Sequence, residues 1–450
     1  MLNIKISPRN YQEKSYAISI LFEEILGIDY KIEIADEQVG YLITFDDKKL
    51  IIEDHFFKKF SGALSYLSIT NIPRSVVYGK NPFTLEKDIP IFFGSDKLIY
   101  KDPKLITCGI DIFSSAFFLL TRWEEYVSLV RDKFERFPAK ASLLYKADIL
   151  HRPVVNEYVE MLWNILKYMG YKQDRKSSEY EFIATHDIDQ PIRLINLKML
   201  AKSVMKNLLV YKSIFGAAND FLIYGLNKIT PKYDVGNSYD FLVQCSEELG
   251  IKSVFNFQNS KKTKYDWGYS NSSVFMQNVF NKIKASGQLI GFHPSYFSFN
   301  DPVLWKNEYE NLCEITQTQI KIGRQHFLRF SNPTTWQIWD DNNLEYDFTL
   351  GYPEKEGFRC GTCSSYSAFN ILTRKKLMLK ESPLILMDVT LMRYQKGISN
   401  EEFINKTNNL ISIVKKYKGK FIFLWHNAIF DQKKYTHQFY KKLLSAHIGN

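Results

Sequence analysis

The sequence of 450 residues is poor in cysteine and has no long uninterrupted apolar run. Its five cysteines are odd in number, which argues against a disulfide framework and favours a reducing compartment. No stretch reaches the roughly 18 uncharged apolar residues that a membrane-spanning helix needs, and no signal-peptide pattern follows Met1. We therefore expect a cytoplasmic protein whose contact with a membrane, if there is one, is peripheral.

Signatures of nucleic-acid binding are also missing. Lysine and arginine exceed aspartate and glutamate by 59 to 49, but this positive charge is spread along the chain without a finger, basic-zipper or RNA-binding motif. Cys360 and Cys363 have the spacing of zinc ligands, yet the chain has no second pair to complete a structural site. The net charge of +10 instead suits an acidic glycan, a nucleotide-linked sugar or an anionic membrane surface.

The chain is too long for one ordinary core, so two domains are expected. Segments 111–126 and 155–169 carry large apolar residues at helical intervals, and the sequence between Gly170 and Tyr180 then becomes polar and charged. We predict a smaller α/β domain over residues 1–175 and a second domain over residues 176–450.

After residue 180, short apolar runs with polar or ionisable residues at their far ends alternate with helical sequence. These runs cover residues 182–189, 253–258, 289–295, 384–388 and 421–427. The alternation predicts a parallel sheet, and we expect a (β/α) barrel that is distorted or incomplete. Because every candidate catalytic residue lies at the end of such a run, the pattern favours an enzyme.

The segment 193–232 contains seven basic residues and only one acid, Asp220. Lys198, Lys202 and Lys206 recur every four positions among apolar residues, which predicts an amphipathic helix with a basic stripe. Such a helix could contact an anionic membrane surface, or it could be an ordinary barrel helix with a solvated face. The sequence leaves both interpretations open.

Asp187 and Asp189 belong to the segment 185–189, which follows the apolar residues 182–184 directly. The period of two in a strand points both carboxylates to the same side, where a metal or solvent makes their proximity tolerable. The alternative is that Asp189 caps a helix near Pro191, which would leave Asp187 without a role.

Three histidines accompany this carboxylate pair. His293 and His426 each follow an apolar run, and His326 lies between Arg324 and Arg329. Each histidine could be a metal ligand or a hydrogen-bonded core residue. The two arginines could be surface charges, or they could hold a carboxylate or a substrate oxygen.

In this order along the chain, these residues resemble the polysaccharide deacetylases that share the NodB homology domain, carbohydrate esterase family 4. The resemblance covers roughly residues 180 to 435, while residues 1–170 resemble an uncharacterised domain that precedes such deacetylases in some bacterial proteins. It implies these roles: Asp187 as catalytic base, Asp189 and His293 as metal ligands, and His426 as general acid.

Two positions depart from the family pattern. Phe297 stands where the family has a second ligand histidine, and Asn427 stands where an acidic residue usually follows His426. We expect His326 to replace the missing ligand. The alternative is that His326 only packs in the core and that no metal binds.

The resemblance also implies residues that support the reaction. We expect Arg329 and Arg359 in catalytic roles, Asp347 as a further support of the base, and Tyr296 and Arg324 at the substrate. The backbone near Tyr296 is the candidate donor to the negative oxygen of the transition state.

The implied cofactor is a divalent metal, zinc first, with cobalt, nickel or manganese as alternatives. The implied reaction removes an N-acetyl group from an amino sugar in a polysaccharide or in a nucleotide-linked or lipid-linked precursor. A catalytically silent barrel that binds glycan or organises an assembly complex is the alternative function.

Overall fold

The computed structural model describes residues 1–36, 40–194, 196–234, 236–395, 397–431 and 436–445. Its first part is built on a six-stranded sheet with the order β2-β1-β3-β4-β8-β7 and on a β5-β6 pair. The strands are β1 (Leu2–Ile6), β2 (Tyr30–Ile34), β3 (Tyr41–Phe45), β4 (Lys48–Ile52), β5 (Val77–Gly79), β6 (Ile89–Ile91), β7 (Gly94–Asp102) and β8 (Leu105–Ile110).

Helices cover this first sheet, together with a π-helical segment at Ser19–Leu26 that continues the first of them. The predicted helix over 111–126 is two helices, because Arg122 takes a left-handed conformation with φ 52° and breaks it. The helices are α1 (Tyr11–Ile18), α2 (Ile112–Thr121), α3 (Trp123–Val127), α4 (Leu143–Lys146) and α5 (Val154–Tyr168).

The second sheet has nine strands in the order β14-β15-β13-β12-β11-β10-β9-β17-β16 and curls into a half-barrel. Its strands are β9 (Glu181–Ile188), β10 (Lys252–Phe257), β11 (Leu289–Phe292), β12 (Ile322–Gly323), β13 (Tyr346–Asp347), β14 (Tyr366–Asn370), β15 (Lys375–Glu381), β16 (Leu384–Met387) and β17 (Lys420–Leu424). Apart from the antiparallel β14-β15 pair, the neighbouring strands are parallel. Within the described residues β14 and β16 do not pair, so the expected barrel is an incomplete one.

Helices connect the parallel strands, as the alternating sequence predicted. Several begin at a side chain that accepts a hydrogen bond from the first turn: Ser273 before α9, Asp301 before α10 and Ser399 before α12. The helices are α6 (Leu197–Leu209), α7 (Ile214–Leu226), α8 (Tyr239–Glu248), α9 (Val274–Ala285), α10 (Pro302–Thr316), α11 (Thr334–Asp341), α12 (Asn400–Lys416) and α13 (His437–Ser445).

The two parts of the chain share one continuous apolar core. Polar contacts join them as well, including a hydrogen bond from the Tyr366 hydroxyl to the Leu120 carbonyl oxygen at 2.8 Å. The predicted boundary near residue 175 falls in the irregular segment between α5 and β9. The division into two domains stays a prediction.

The structure also describes the cysteine pair and the apolar character of the helices. Cys360 and Cys363 are buried free thiols, and burial raises the pKa of each to about 12. In the part of the chain that is described, no helix combines the length and the apolar character needed to cross a bilayer.

Candidate metal centre and active site

Polar side chains gather at the carboxyl ends of the parallel strands of the second sheet. Because neighbouring parallel strands end at the same edge, side chains that are distant in sequence converge there. They are Asp187 and Asp189 at the end of β9, Asn256 on β10, His293 after β11, Arg324 and His326 after β12, Asp388 after β16 and His426 after β17.

Asp189, His293 and His326 form a compact group of possible metal ligands. Oδ1 of Asp189 lies 3.2 Å from Nε2 of His293 and 3.4 Å from Nε2 of His326. The three ligand atoms lie within 4.8 Å of one another, and no other such group of three occurs among the described residues. The prediction that these residues lie together therefore agrees with the geometry.

Both histidines are oriented by a second hydrogen bond. Nδ1 of His293 lies 2.6 Å from the carbonyl oxygen of Arg324, and Nδ1 of His326 lies 2.8 Å from Oδ1 of Asp266. These contacts leave Nε2 of each ring directed at Asp189. One carboxylate and two imidazoles with such outer partners fit a catalytic divalent metal that keeps an open coordination position.

Asp187 is buried beside this group. Its Oδ1 accepts hydrogen bonds from Nη1 of Arg324 at 2.9 Å and from Nδ2 of Asn256 at 2.8 Å. Burial by itself raises the pKa of Asp187, but the positive charges of Arg324, His293 and His426 outweigh it, so that the pKa is lowered. Asp187 is therefore a carboxylate at neutral pH, and its Oδ2 accepts neither of these two hydrogen bonds.

Arg324 contacts a carboxylate, which is one of the two contacts that the sequence left open for it. Its side chain is fully buried, where Nε donates to the carbonyl oxygen of Phe348 at 2.9 Å and Nη1 donates to Oγ1 of Thr185 at 2.8 Å as well as to Asp187. Arg324 holds the proposed base.

His426 is held by an aspartate that the sequence analysis did not select. Nδ1 of His426 lies 2.9 Å from Oδ1 of Asp388, and its backbone N–H donates to Oδ2 of the same residue at 2.6 Å. Nε2 lies 3.9 Å from Oδ2 of Asp189. Burial lowers the pKa of His426, but Asp388 and then Asp189 raise it to a net value of about 9.

Tyr296 and Arg329 support the site from outside it. Tyr296 is only 3% exposed, so its ring is not available to a substrate. Its own N–H donates to Oδ1 of Asp266 at 2.9 Å, and the expectation that the backbone near Tyr296 supplies the oxyanion donor stays a prediction. Arg329 donates to the carbonyl oxygen of Tyr296 at 2.6 Å and stacks against the rings of Tyr296 and Phe299, so it fixes this loop and does not contact Asp187.

The structure places Arg359 and Asp347 away from the predicted contacts with the base. Arg359 donates to both carboxylate oxygens of Glu125, at 2.9 and 2.6 Å, and to the carbonyl oxygen of Gly351 at 2.8 Å. Asp347 accepts a bond from the N–H of Thr349 at 2.9 Å. Arg324 occupies the position beside Asp187 that was expected for Arg359.

Phe297 and Asn427, the two departures from the family pattern, each have an identifiable environment in the structure. Phe297 is half exposed and outside the metal group, where His326 supplies the third ligand atom. Asn427 donates to the carbonyl oxygens of Gln190 at 2.9 Å and Gly236 at 3.0 Å, two bonds that an acidic side chain could not donate. The alternative that Asp189 caps the next helix is wrong, because Asn196 caps α6.

Two aspartates that bind histidines of the site, Asp388 beside His426 and Asp266 beside His326, were missed, with different signals in the sequence. Asp388 follows the apolar run 384–387, which the sequence predicts as a strand with an ionisable residue at its end. Asp266 lies in an irregular segment between β10 and α9, where no periodicity marks it. Spacing could have identified the first but not the second.

Comparisons with known proteins give remote likenesses. Residues 2–170 match a family of unknown function, DUF7033, and no curated protein matches the chain. A protein assigned as a polysaccharide deacetylase from Mycobacterium smegmatis is 12% identical, with 60% of this chain and 84% of the other covered and a TM-score of 0.39.

Two further solved structures are more distant still. A mutant of a CE4 family pseudoenzyme with restored activity is 8% identical over 61% of this chain and 63% of the other, with a TM-score of 0.28. A family 4 carbohydrate esterase from Streptomyces lividans, in complex with acetate, is 9% identical over 47% of this chain and 82% of its own, with a TM-score of 0.26. With likenesses as remote as these, the function has to be inferred from the residues of the site.

Proposed function

We propose that this protein is a metal-dependent hydrolase that removes the N-acetyl group from an amino sugar in a polysaccharide or its precursor. One observation carries the proposal: the Nε2 atoms of His293 and His326 converge on the Asp189 carboxylate, with the buried carboxylate of Asp187 beside them. Hydrolysis of an acetamide needs a ligand set, a base and an acid in one site, and this edge of the sheet offers all three.

Asp189, His293 and His326 would hold the metal through one oxygen and two nitrogen atoms. When bound, a divalent cation supplies the positive charge that polarises the acetyl carbonyl group and acidifies water. Zinc is our first choice for this mixed oxygen and nitrogen set, and cobalt, nickel and manganese accept similar ligands. The contacts from Arg324 and Asp266 set the ring orientations before a metal arrives.

Asp187 takes the proton of the attacking water. Arg324 and Asn256 both bind its Oδ1, which leaves Oδ2, 3.8 Å from Nε2 of His293, as the accepting atom. The water oxygen forms a bond to the acetyl carbon as its proton passes to Oδ2. The two donors on Oδ1 also fix the carboxylate plane, so that the base needs no rearrangement.

His426 donates a proton to the departing amine. Its Nδ1 is held by Asp388, so the proton on Nε2 is the one directed into the site. As the carbon–nitrogen bond breaks, this proton passes to the nitrogen of the sugar, and the acetyl group leaves as acetate.

The alternative of a silent glycan-binding protein was motivated by Phe297 and Asn427. Both missing groups have replacements in the structure, since His326 joins the ligand group and Asp388 binds His426. These replacements favour hydrolysis over silent binding.

The test is acetate release by the purified protein with added zinc or cobalt, using N-acetylated sugars that are free, polymeric, nucleotide-linked or lipid-linked. Asp187→Asn should lower the release by about 10²- to 10⁴-fold while metal content is kept, because only the base is lost. Asp240→Asn, at an exposed position on α8, is the matched control. A protein that releases no acetate from the whole panel, or an Asp187→Asn variant with full activity, would show that the proposal is wrong.

A further inference from the structure

Helices α6 and α7 form a hairpin in the connection between β9, which ends just before Asp189, and α8. Few of its side chains are buried: Leu200 on α6, and Ala217, Asp220 and Ile223 on α7. Several large apolar side chains are exposed, including Phe215 at 84% exposure and Ile229, just after α7, at 87%. Single exposed apolar residues are ordinary, but a cluster of them marks an interaction surface.

Pairs of exposed apolar residues recur along one side of each helix. Leu197 and Leu208 are three helical turns apart on α6, so they project from the same side. On α7, Phe215 and Leu222 are two turns apart and are both exposed. We call these residues, together with Ile214, the hairpin face.

The hairpin that carries this face is also rich in exposed lysines. Exposed lysines lie on α6 and at the ends of the hairpin: Lys198, Lys202, Lys212, Lys228 and Lys232. Asp220, the one acid in the segment 193–232, is buried and binds Nη2 of Arg193 at 2.6 Å and Nδ2 of Asn207 at 2.7 Å. The outer surface of the hairpin therefore combines apolar groups with positive charge and presents no carboxylate from this segment.

We propose that the hairpin face docks on an anionic lipid bilayer. Aromatic and aliphatic side chains would enter the boundary between headgroups and acyl chains, and the lysines would contact the headgroup phosphates. A second copy of this chain is a poorer partner for this face. Pairing two such faces would bring lysines close to lysines, and like charges repel each other.

The base of the hairpin connects this surface with the site. Asp234 closes the base by accepting from the N–H groups of Arg193 at 2.6 Å and Leu194 at 3.0 Å. Asn427, next to His426, ties Gln190 to Gly236 across the same base. A hairpin seated on a bilayer would thus hold the carboxyl edge of the sheet near the headgroups.

This placement specifies the substrate class, a step that rests on the proposed function. The acetylated amino sugar would be one carried by a lipid in the bilayer, because docking would raise its local concentration at the site. A sugar that is free in solution would gain nothing from the hairpin.

The first experiment is flotation of the full-length protein with vesicles of phosphatidylcholine alone or with one third phosphatidylglycerol. We expect at least about tenfold more bound protein with the anionic vesicles at low salt, and weaker binding as salt is raised. Phe215→Glu with Leu222→Glu should abolish most of this binding. Leu129→Glu with Met378→Glu adds the same charge at exposed apolar positions elsewhere and should leave it intact.

Several outcomes would overturn the proposal. The protein could fail to float with anionic vesicles at low salt, or both double variants could float equally well. Sedimentation velocity covers the remaining case: a dimer that dissociates in Phe215→Glu with Leu222→Glu, without vesicle binding, would identify a second copy as the occupant.

Acetate release separates the docking from the proposed function. With an acetylated sugar anchored in anionic vesicles, Phe215→Glu with Leu222→Glu should lose about tenfold in rate, and a water-soluble acetylated sugar should be processed as before. Vesicle binding without any acetate release would refute the hydrolase and keep the docking. Acetate release that is equal on both substrates in both proteins would refute the lipid-linked substrate.

Discussion

Nε2 of His326 lies 3.4 Å from Oδ1 of Asp189, the same carboxylate oxygen that His293 approaches at 3.2 Å. The position that Phe297 leaves without a histidine after β11 is thus matched by a histidine, His326, after the neighbouring strand β12. Because the two strands are parallel and adjacent, a histidine from either one can reach the same point.

Replacing His326 should therefore remove the metal. We expect His326→Ala to weaken zinc affinity by more than about 100-fold, since loss of even an outer partner of a ligand lowers affinity by about 10- to 100-fold. Zinc competition with a chromophoric chelator measures the affinity. His151→Ala, at an exposed position, is the control. Unchanged affinity in His326→Ala would mean that the group of three is not the metal site.

Asp388 should matter for protonation of the leaving group and not for metal binding. Asp388→Asn removes the charge that orients and stabilises the imidazolium of His426, so we expect kcat to fall by about 100-fold with metal content unchanged. An aryl acetate, whose leaving group needs no proton, should be affected much less. Equal losses on the acetamide and the aryl ester would contradict this role.

Arg359 should be a structural residue. It is buried against Glu125, whose carboxylate also accepts a hydrogen bond from Nε of Arg122 at 2.9 Å. Removing Arg359 therefore takes away one of the two positive partners of a buried carboxylate. We expect Arg359→Ala to lower the free energy of unfolding by about 2 to 3 kcal/mol, measured by urea denaturation. Arg393→Ala, at an exposed position, should change it by less than about 0.5 kcal/mol.

Activity of the folded variant completes this comparison. Below its unfolding transition, Arg359→Ala should release acetate at nearly the rate of the unmodified protein. A large fall in kcat with normal stability would restore the catalytic role that the sequence suggested.

The sequence predicted the parts of the site that depend on strand periodicity. Asp187, Asp189, His293 and His426 each end an apolar run, and parallel strands bring such ends together. The contacts of Arg324 and Tyr296 could not be predicted in this way, because a polar residue just after a strand can turn into the core or towards a substrate. Only the packing of the completed fold decides between these directions.

The same limit applied to the fold. Alternation of strands and helices indicated a parallel sheet, but closure of a barrel depends on pairing between edge strands that are distant in sequence. In the structure, β14 joins β15 in antiparallel orientation and occupies the edge, which leaves the sheet open within the described residues. No local pattern in residues 366–381 predicts this antiparallel pairing at the edge of the sheet.

The buried carboxyl pair of Asp347 and Glu381 should make stability depend on pH. Burial raises the pKa of Asp347 to about 7, and burial and then the charge of Asp347 raise the pKa of Glu381. In the unfolded chain such groups titrate near pH 4. Between about pH 4 and pH 7 the folded protein therefore binds more protons than the unfolded one, so stability should fall as pH rises through this window and stay low above it.

Asp347→Asn should reduce this dependence, because one of the two buried charges can no longer form. We expect the loss in free energy of unfolding between pH 5 and pH 8, measured by urea denaturation, to shrink by at least about 1 kcal/mol. Other buried acids, such as Glu308 with a burial-raised pKa of about 7, titrate alike in both proteins and cancel in the comparison. Asp240→Asn, at an exposed position, should leave the dependence unchanged, and an equally steep loss in Asp347→Asn would exclude the pair as its source.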